Sequence, residues 1–388
     1  MKPFNQQTAN MPESGIQKIF ELSYGMEGVI HLEVGQPDFR TPEHILEAIT
    51  EAGREGFTRY TAAAGMWELR EAIAKKITEK NGFEAEGSNI VVTPGAVASI
   101  MSAMIALAEP GDDILIPDPA WPNYVMQTRC IGCRAVRYPL APGDGFQIDF
   151  DALEKMVTPK TKILVVNTPG NPTGAVFSRE RIEEIVDFTK RHDLFLISDE
   201  VYEEIVFDGD HVSTGQYNDD GRICSVFAFS KTYAMPGIRI GYAVCDEKMA
   251  KTIERIQTPL VSCPTSISQK ACLAALDGPQ DAVLKMSAIY HERRDAVVKI
   301  LKEKGLYLYT PSGAFYILID ISATGMSSDD FALELLREKK VALAPGETFG
   351  DTTKSFVRIS FTTGTDSLIK GVSTLCDFIH EKKHSRRV

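Results

Sequence analysis

The stretch "AFSKTYAMPGIRIGY", residues 228–242, puts a hydroxyl, an amine and a guanidinium directly behind an apolar run. Val226-Phe227-Ala228-Phe229 reads as a buried strand, Ser230 and Lys231 leave its end, and Arg239 follows a Pro-Gly break. An ammonium aimed out of a buried strand is costly to desolvate. Taken alone, Lys231 could cap the strand and reach water. Held in a pocket, it could instead condense with an aldehyde to a Schiff base.

Ligands of open α/β sheets bind at the carboxyl ends of the strands, so the residues just after each apolar run are the informative ones. "NIVVT" is followed by Pro94-Gly95-Ala96-Val97 and a helical segment. Small residues there let backbone N–H groups approach an anion at a helix N-terminus, although an ordinary strand-to-helix turn would look the same. The loop is not G-x-G-x-x-G, which speaks against a dinucleotide. "DILIPDP" runs into Trp121 and Tyr124 among prolines, a packing plug or a flat surface for a planar ligand. "KILVVN" leads to "TPGNPTG", where Asn171 is either a turn former or a binding group. "LFLISD" ends in Asp199-Glu200-Val201-Tyr202. A carboxylate at that position calls for a positive partner, because desolvation alone would neutralise it. One ligand meets all these demands together: an anion-bearing, electron-poor heteroaromatic with a basic ring nitrogen and an aldehyde. Pyridoxal 5'-phosphate has those parts.

The elements that must position these groups alternate. Besides the runs above, "SVFAFS" and "IGYAVC" read as strands, with amphipathic helical stretches between several of them. In "SRERIEEIVDFTK", Ile182, Ile185, Val186 and Phe188 recur at helical intervals, as do Trp67, Leu69, Ile73 and Ile77 before the Asn81-Gly82 stop. This pattern predicts an α/β fold with a mainly parallel sheet covered on both faces. From residue 278 a long helix is expected, with Val283, Met286, Tyr290, Val297 and Leu301 on one side. "AFYILIDI", "DDFALELLREKK" and "SFVRISF" then suggest a smaller α/β domain. The expected division is an N-terminal segment 1–40 packing with the small domain, a large cofactor-binding domain 41–284 and a small domain 285–388.

A chain of 388 residues exceeds the usual single core, in keeping with two domains. Its net charge of −11 disfavours a nucleic-acid or anionic-membrane partner. Seven scattered cysteines and the absence of a basic, apolar leader fit reduced thiols in a cytoplasm. Cys130 and Cys133 form a C-x-x-C without a second pair or nearby histidine, so no metal site is expected. No stretch approaches the length of a membrane span. His380 and His384 suggest a surface helix, and the basic ending "EKKHSRRV" a solvated, fraying terminus.

In their order along the chain, "LEVGQPDF", "YTAAAGMWELR", "VTPGAVAS", "PDPAWPNY", "NTPGNPTG", "SDEVYEEI", "FSKTYAMPGIRIGY", "PSGAFY", "APGETFG" and "FVRISF" resemble the class I and II aminotransferases of the fold-type-I pyridoxal-phosphate enzymes. That resemblance covers the chain almost end to end. It implies a large domain with a mainly parallel seven-stranded sheet sandwiched by helices. It also implies that Lys231 carries the cofactor, that Asp199 pairs with the pyridine nitrogen, and that Tyr202 and Asn171 hydrogen-bond the phenolic oxygen. Trp121 would stack on the ring. Ser230, Arg239 and the turn Gly95-Ala96-Val97 would take the phosphate, with Tyr60 reaching in from a partner subunit of a homodimer. Arg358 would pair bidentately with the substrate α-carboxylate, which Gly35 lets the backbone approach.

The implied reaction moves an amino group from an L-amino acid to a 2-oxo acid by a ping-pong route through aldimine and ketimine. β-Elimination or another reaction at the same lysine is the alternative, and a non-catalytic sensor a more distant one. Some dicarboxylate-specific relatives use a partner-subunit arginine in the stretch matching "QTPLVSCP". Residues 257–264 hold no basic residue, which puts that route to acidic side chains in doubt.

Overall fold

The computed structural model describes residues 2, 4, 11 and 15–385. What was expected of the other N-terminal residues and of the last three in the basic tail lies outside the described residues. After a two-residue strand β1 (Ile30–His31), the apolar runs of the first two thirds of the chain all become strands. They are β2 (Ile90–Thr93), β3 (Asp113–Asp118), β5 (Thr161–Asn167), β6 (Phe195–Asp199), β7 (Ile223–Ala228) and β8 (Gly241–Val244). With β4 (Arg134–Pro139) they form a seven-stranded sheet in the order β2-β8-β7-β6-β5-β3-β4. Only β8 runs against its neighbours. Sequence patterning missed β4 for a physical reason. It is an edge strand with Arg134 and Pro139 exposed, residues 135–137 half-buried and Tyr138 buried, and so lacks the continuous apolar run of a strand covered on both faces.

The two-residue repeat of a strand explains how one apolar run serves both faces. Ile163 and Val165 of β5 pack on Ile100, Met104 and Ile253. These come from the helices Ala96–Leu107 and Glu247–Val261. Leu164 and Val166 turn the other way, onto Ile182, Ile185 and Phe188 of the helix Arg179–Arg191. Trp67 departs from the core role its spacing suggested: it is 54% exposed, with the Arg70 guanidinium 4.9 Å above its ring.

A second sheet, β11-β12-β9, is antiparallel and consists of β9 (Tyr316–Asp320), β11 (Ala344–Pro345) and β12 (Phe356–Ser360). Beside it β1 pairs in parallel with β10 (Val341–Ala342), and Ile19 of the helix Gly15–Ser23 joins the same core. The helix Asp281–Glu303 links the two units. Val283 packs with the large unit's core, and Met286, Tyr290, Val297 and Leu301 with the small one's. In the tail, residues 381–385 continue the helix Thr365–Ser385, and Lys382 is held by Glu334 at 2.6 Å and Glu338 at 3.2 Å.

Gly241, at the start of β8, lies against the turn before the helix Ala96–Leu107. A Cβ on it would sit 2.7 Å from the Gly95 carbonyl carbon and 2.9 Å from Ala96 Cα. Both atoms are backbone and cannot swing away. The substitution Gly241→Ala is therefore expected to cost about 1–3 kcal/mol of stability with an unchanged far-ultraviolet dichroism spectrum, read by urea denaturation.

Candidate active site

The carboxyl ends of β5, β6 and β7 meet side by side, with Asn167 in register with Asp199 and Asp199 with Val226. Above them lies a cavity of about 380 Å³ whose lining includes Lys231, Asp199, Arg239, Arg358, Trp121 and Tyr202. Gly35, Ala96, Val97, Asn171 and Ser230 border the same space. Gly95 stands just behind it, where a Cβ would come within 2.5 Å of the Arg239 guanidinium, so its lack of a side chain makes room for that arginine. Tyr60 is elsewhere. It is 88% exposed and does not reach the cavity of its own chain.

Lys231 leaves β7 on a single helical turn, Phe229–Thr232, which the Tyr233 N–H closes on the Phe229 carbonyl at 3.0 Å. Its Nζ points into the cavity and donates to the Gly35 carbonyl at 2.7 Å. Burial, then repulsion from Arg239 and Arg358, pushes its ammonium down to about 8, against a weaker pull from Asp199.

Asp199 closes β6 and is 4% exposed. Its carboxylate accepts from the Tyr124 hydroxyl and, at 3.3 Å, from the Val201 N–H. Among the described residues no cationic side chain lies at ion-pair distance from it. The neighbouring Glu200 has a histidine partner instead, His211 Nε2 at 2.9 Å, together with the Thr214 hydroxyl at 3.0 Å. Burial pushes Asp199 up to about 6 despite its two donors. Glu200 is equally buried, yet the bond from His211 carries it below the usual carboxylate range. Tyr124 had no assigned role in the sequence reading. Its signal was its place three residues beyond Trp121 at the start of a helix, and burial and Asp199 together hold its hydroxyl firmly protonated.

Arg358 comes from the middle of β12 and is 1% exposed. Nη1 donates to Asn171 Oδ1 at 3.1 Å and Nη2 to the Glu33 carbonyl, while Nε has no partner. Its guanidinium lies 4.4 Å from the Tyr316 ring centroid and 4.9 Å from that of Phe349. Tyr316, also unassigned from sequence, shares a 3.0 Å hydrogen bond with the Tyr202 hydroxyl. Tyr316 occupies the space a Cβ of Gly35 would need, so only glycine fits there.

The loop carrying Gly35 is fastened at both ends. Ser360 and Thr362 hydroxyls both donate to the Val34 carbonyl at 2.8 Å, and Asp38 takes both Arg293 terminal nitrogens at 2.8 Å. Thr41 donates to the Ala234 carbonyl, just past Lys231, at 2.8 Å. Opposite this loop, Ala96 and Val97 open a twelve-residue helix, whose first N–H groups have no partner within it.

An amine, a carboxylate lacking a cation, an aromatic wall, helix-end N–H groups beside an arginine and a second arginine thus face one space. Such a set belongs to enzymes that hold a charged aromatic cofactor next to an amino acid. The chain belongs to the class I and II aminotransferases: the family model of that description matches residues 27–374. It is 39% identical over 377 residues to an aromatic-amino-acid aminotransferase of Thermococcus litoralis, covering 95% of this chain and 96% of that protein. Identity and coverage are the same for an aspartate aminotransferase of Pyrococcus abyssi. The crystal structure of an aromatic aminotransferase from Pyrococcus horikoshii superposes with a TM-score of 0.89 at 38% identity, over 95% of this chain and 99% of that one. The protein is an enzyme of amino-group transfer, with the mainly parallel α/β fold of these relatives.

Asp199 gives a pH-dependent test. Its carboxyl sits near pH 6 in the fold, above the about 3.9 of an unfolded chain, so between these values the folded protein holds the extra proton. Its contribution to stability is then lost as pH rises from about 4 to about 6. In cofactor-free protein, Asp199→Asn should gain on the wild type across that window, by at most about 3 kcal/mol above pH 6.5. Urea denaturation at pH 5 and pH 7.5 reads the difference, and an equal offset at both would contradict it.

Proposed function

We propose that this aminotransferase uses pyridoxal 5'-phosphate bound through Lys231, and exchanges the amino group between an L-amino acid and a 2-oxo acid. The observation that carries the reading is the pairing, across one cavity, of an amine near pKa 8 with a buried carboxylate that has no cation. A pyridinium nitrogen supplies the missing charge, and an aldehyde is the natural partner of a lysine that readily gives up its proton. The bound cofactor supplies an electron sink for the pair left when the substrate Cα loses its proton.

The chain's own groups do the rest. Asp199, oriented by Tyr124, keeps positive charge on the ring nitrogen, which stabilises negative charge where it develops. Tyr202 and Asn171 would hold the cofactor's phenolic oxygen, and Trp121 would supply an aromatic wall for its ring. Ser230, Arg239 and the turn Gly95-Ala96-Val97 take the phosphate. Arg358 grips the substrate α-carboxylate with Asn171 bracing it and Gly35 leaving room. The amine of Lys231 would hold and move the proton of the substrate Cα, a role its depressed pKa suits near neutral pH.

The 41–284 and 285–388 divisions, with residues 1–40 against the small part, are the domains of this reading, and they close over the substrate. Tyr60, exposed as Leu260 and Val261 also are, fits a homodimer in which it completes the neighbouring site. Seven unpaired cysteines suit a cytoplasmic setting. Among the described residues the cavity's cations are Lys231, Arg239 and Arg358, each with another task, which favours donors with uncharged side chains.

Reconstituted protein should be yellow, and borohydride reduction followed by peptide mapping should leave the pyridoxyl group on Lys231. Lys231→Ala should lose the imine band and nearly all turnover while remaining folded. A panel of amino donors with 2-oxoglutarate and with pyruvate, scored for the new amino acid, identifies the substrates. Ammonia and a 2-oxo acid released from a single donor would mark elimination instead.

A further inference from the structure

Below the cavity mouth, two charged residues outside its lining join the two sheets. Asp118 ends β3 and is buried, and Arg137 of the neighbouring β4, in register with Ile116, brings its Nε to 3.2 Å from Asp118 Oδ2. Both turn towards the segment 349–352 that precedes β12. Asp118 accepts from the Asp351 and Thr352 N–H groups, each at 3.2 Å, and from the Thr352 hydroxyl at 2.8 Å. Arg137 donates to the Phe349 carbonyl, which also accepts from the Ala120 N–H at 2.9 Å. Gly350 fits between them because a Cβ there, at φ +151°, would come 2.6 Å from the Asp118 carboxyl carbon. Lys354, the nearest further cation of the segment, is taken by Asp351 at 2.7 Å.

This clasp has a consequence at both ends. Ala120 is followed by Trp121, the aromatic wall of the cavity. The fully buried Phe349 ring supports the Arg358 guanidinium from 4.9 Å. We infer that Asp118 and Arg137 are positioning residues which hold segment 349–352 on the large sheet and thereby set how Arg358 meets a substrate carboxylate. The inference rests on the role proposed above for Arg358. A merely structural ion pair would affect stability but leave carboxylate affinity alone. Charge-assisted hydrogen bonds to backbone, several converging on one segment, instead fix its geometry.

The test is made on the cofactor-loaded enzyme with 3-phenylpropionate, an unreactive carboxylate whose apolar tail suits walls that include Ile16, Val34 and Trp121. Calorimetry gives its Kd, and amide hydrogen exchange reports on residues 349–353. Asp118→Asn and Arg137→Gln should each weaken the probe about tenfold, the size of one lost charge-assisted hydrogen bond. Exchange at Asp351 and Thr352 should accelerate with them. Arg137→Lys, which keeps the cation but not the fork, should lose less, and Thr352→Val, which spares both charges, should weaken the probe about threefold.

Unchanged exchange in all variants would overturn the inference, and so would faster exchange with an unaltered Kd. Arg358→Ala serves as the reference. If it abolishes binding while Asp118→Asn and Arg137→Gln do not weaken it, the clasp fails alone. If the probe binds equally without the arginine, or does not bind the wild type, the proposed carboxylate site fails and takes the clasp with it.

Discussion

A carboxylate held dry without a cation organises this molecule. Asp199 ends a central strand, where neighbours on both sides exclude water, and among the described residues a phenol and an amide are its donors. The fold gives the adjacent Glu200 an imidazole partner in His211, whereas among the described residues no cationic side chain pairs with Asp199. Left so, the carboxyl drifts towards its neutral form, as burial dictates. The opposite tendency acts on Lys231, whose ammonium is disfavoured by the same dryness and by two arginines. A ligand carrying positive charge at one end and an electrophile at the other relieves both at once. The binding site and the energetic cost of building it are therefore the same feature.

Parallel strand order is what makes the arrangement possible. Adjacent parallel strands end at the same level, so groups from distant parts of the chain come together without long connections. Asn167 illustrates the local bracing. Its side chain donates to the Asp199 carbonyl at 2.9 Å and accepts from the Asn171 N–H at 2.7 Å. The end of one strand is thereby tied to the loop that places Asn171 against Arg358. The second sheet then delivers Arg358 from the other side. Its buried guanidinium is satisfied at two nitrogens, sandwiched by two rings, and left with one donor unused. An orphaned donor in an otherwise well-paired guanidinium marks the direction from which a carboxylate would come.

The loop around Gly35 shows how the N-terminal segment serves the same end. It meets the small sheet through Val34, the linking helix through Asp38 and the turn after Lys231 through Thr41. Its carbonyl oxygen at Gly35 accepts the hydrogen bond of the lysine amine. The amine is thus aimed by a segment nearly two hundred residues away in the chain, across the boundary between the two sheets.

Much of this was legible before folding. Apolar runs of five to seven residues ending in Asp199, Asn167 or the Ser230-Lys231 pair announce strands whose tips carry chemistry, because a buried strand has no other use for such groups there. The helical spacing of Ile182, Ile185 and Phe188, and the long repeat after residue 278, follow equally from local periodicity. Edge strand β4 escaped because half-exposed strands need no apolar run, and Trp67 misled because spacing cannot say whether a helix face is covered. Tyr124, Tyr316, Asp118 and Arg137 were beyond reach for another reason. Their significance lies in partners 75, 114, 234 and 212 residues away, at Asp199, Tyr202, Thr352 and Phe349. Sequence determined which residues stand at the strand ends. Which of them pair, and which charge is left wanting, was decided by tertiary contacts, since hydrogen bonds and desolvation depend on distance in space, not along the chain.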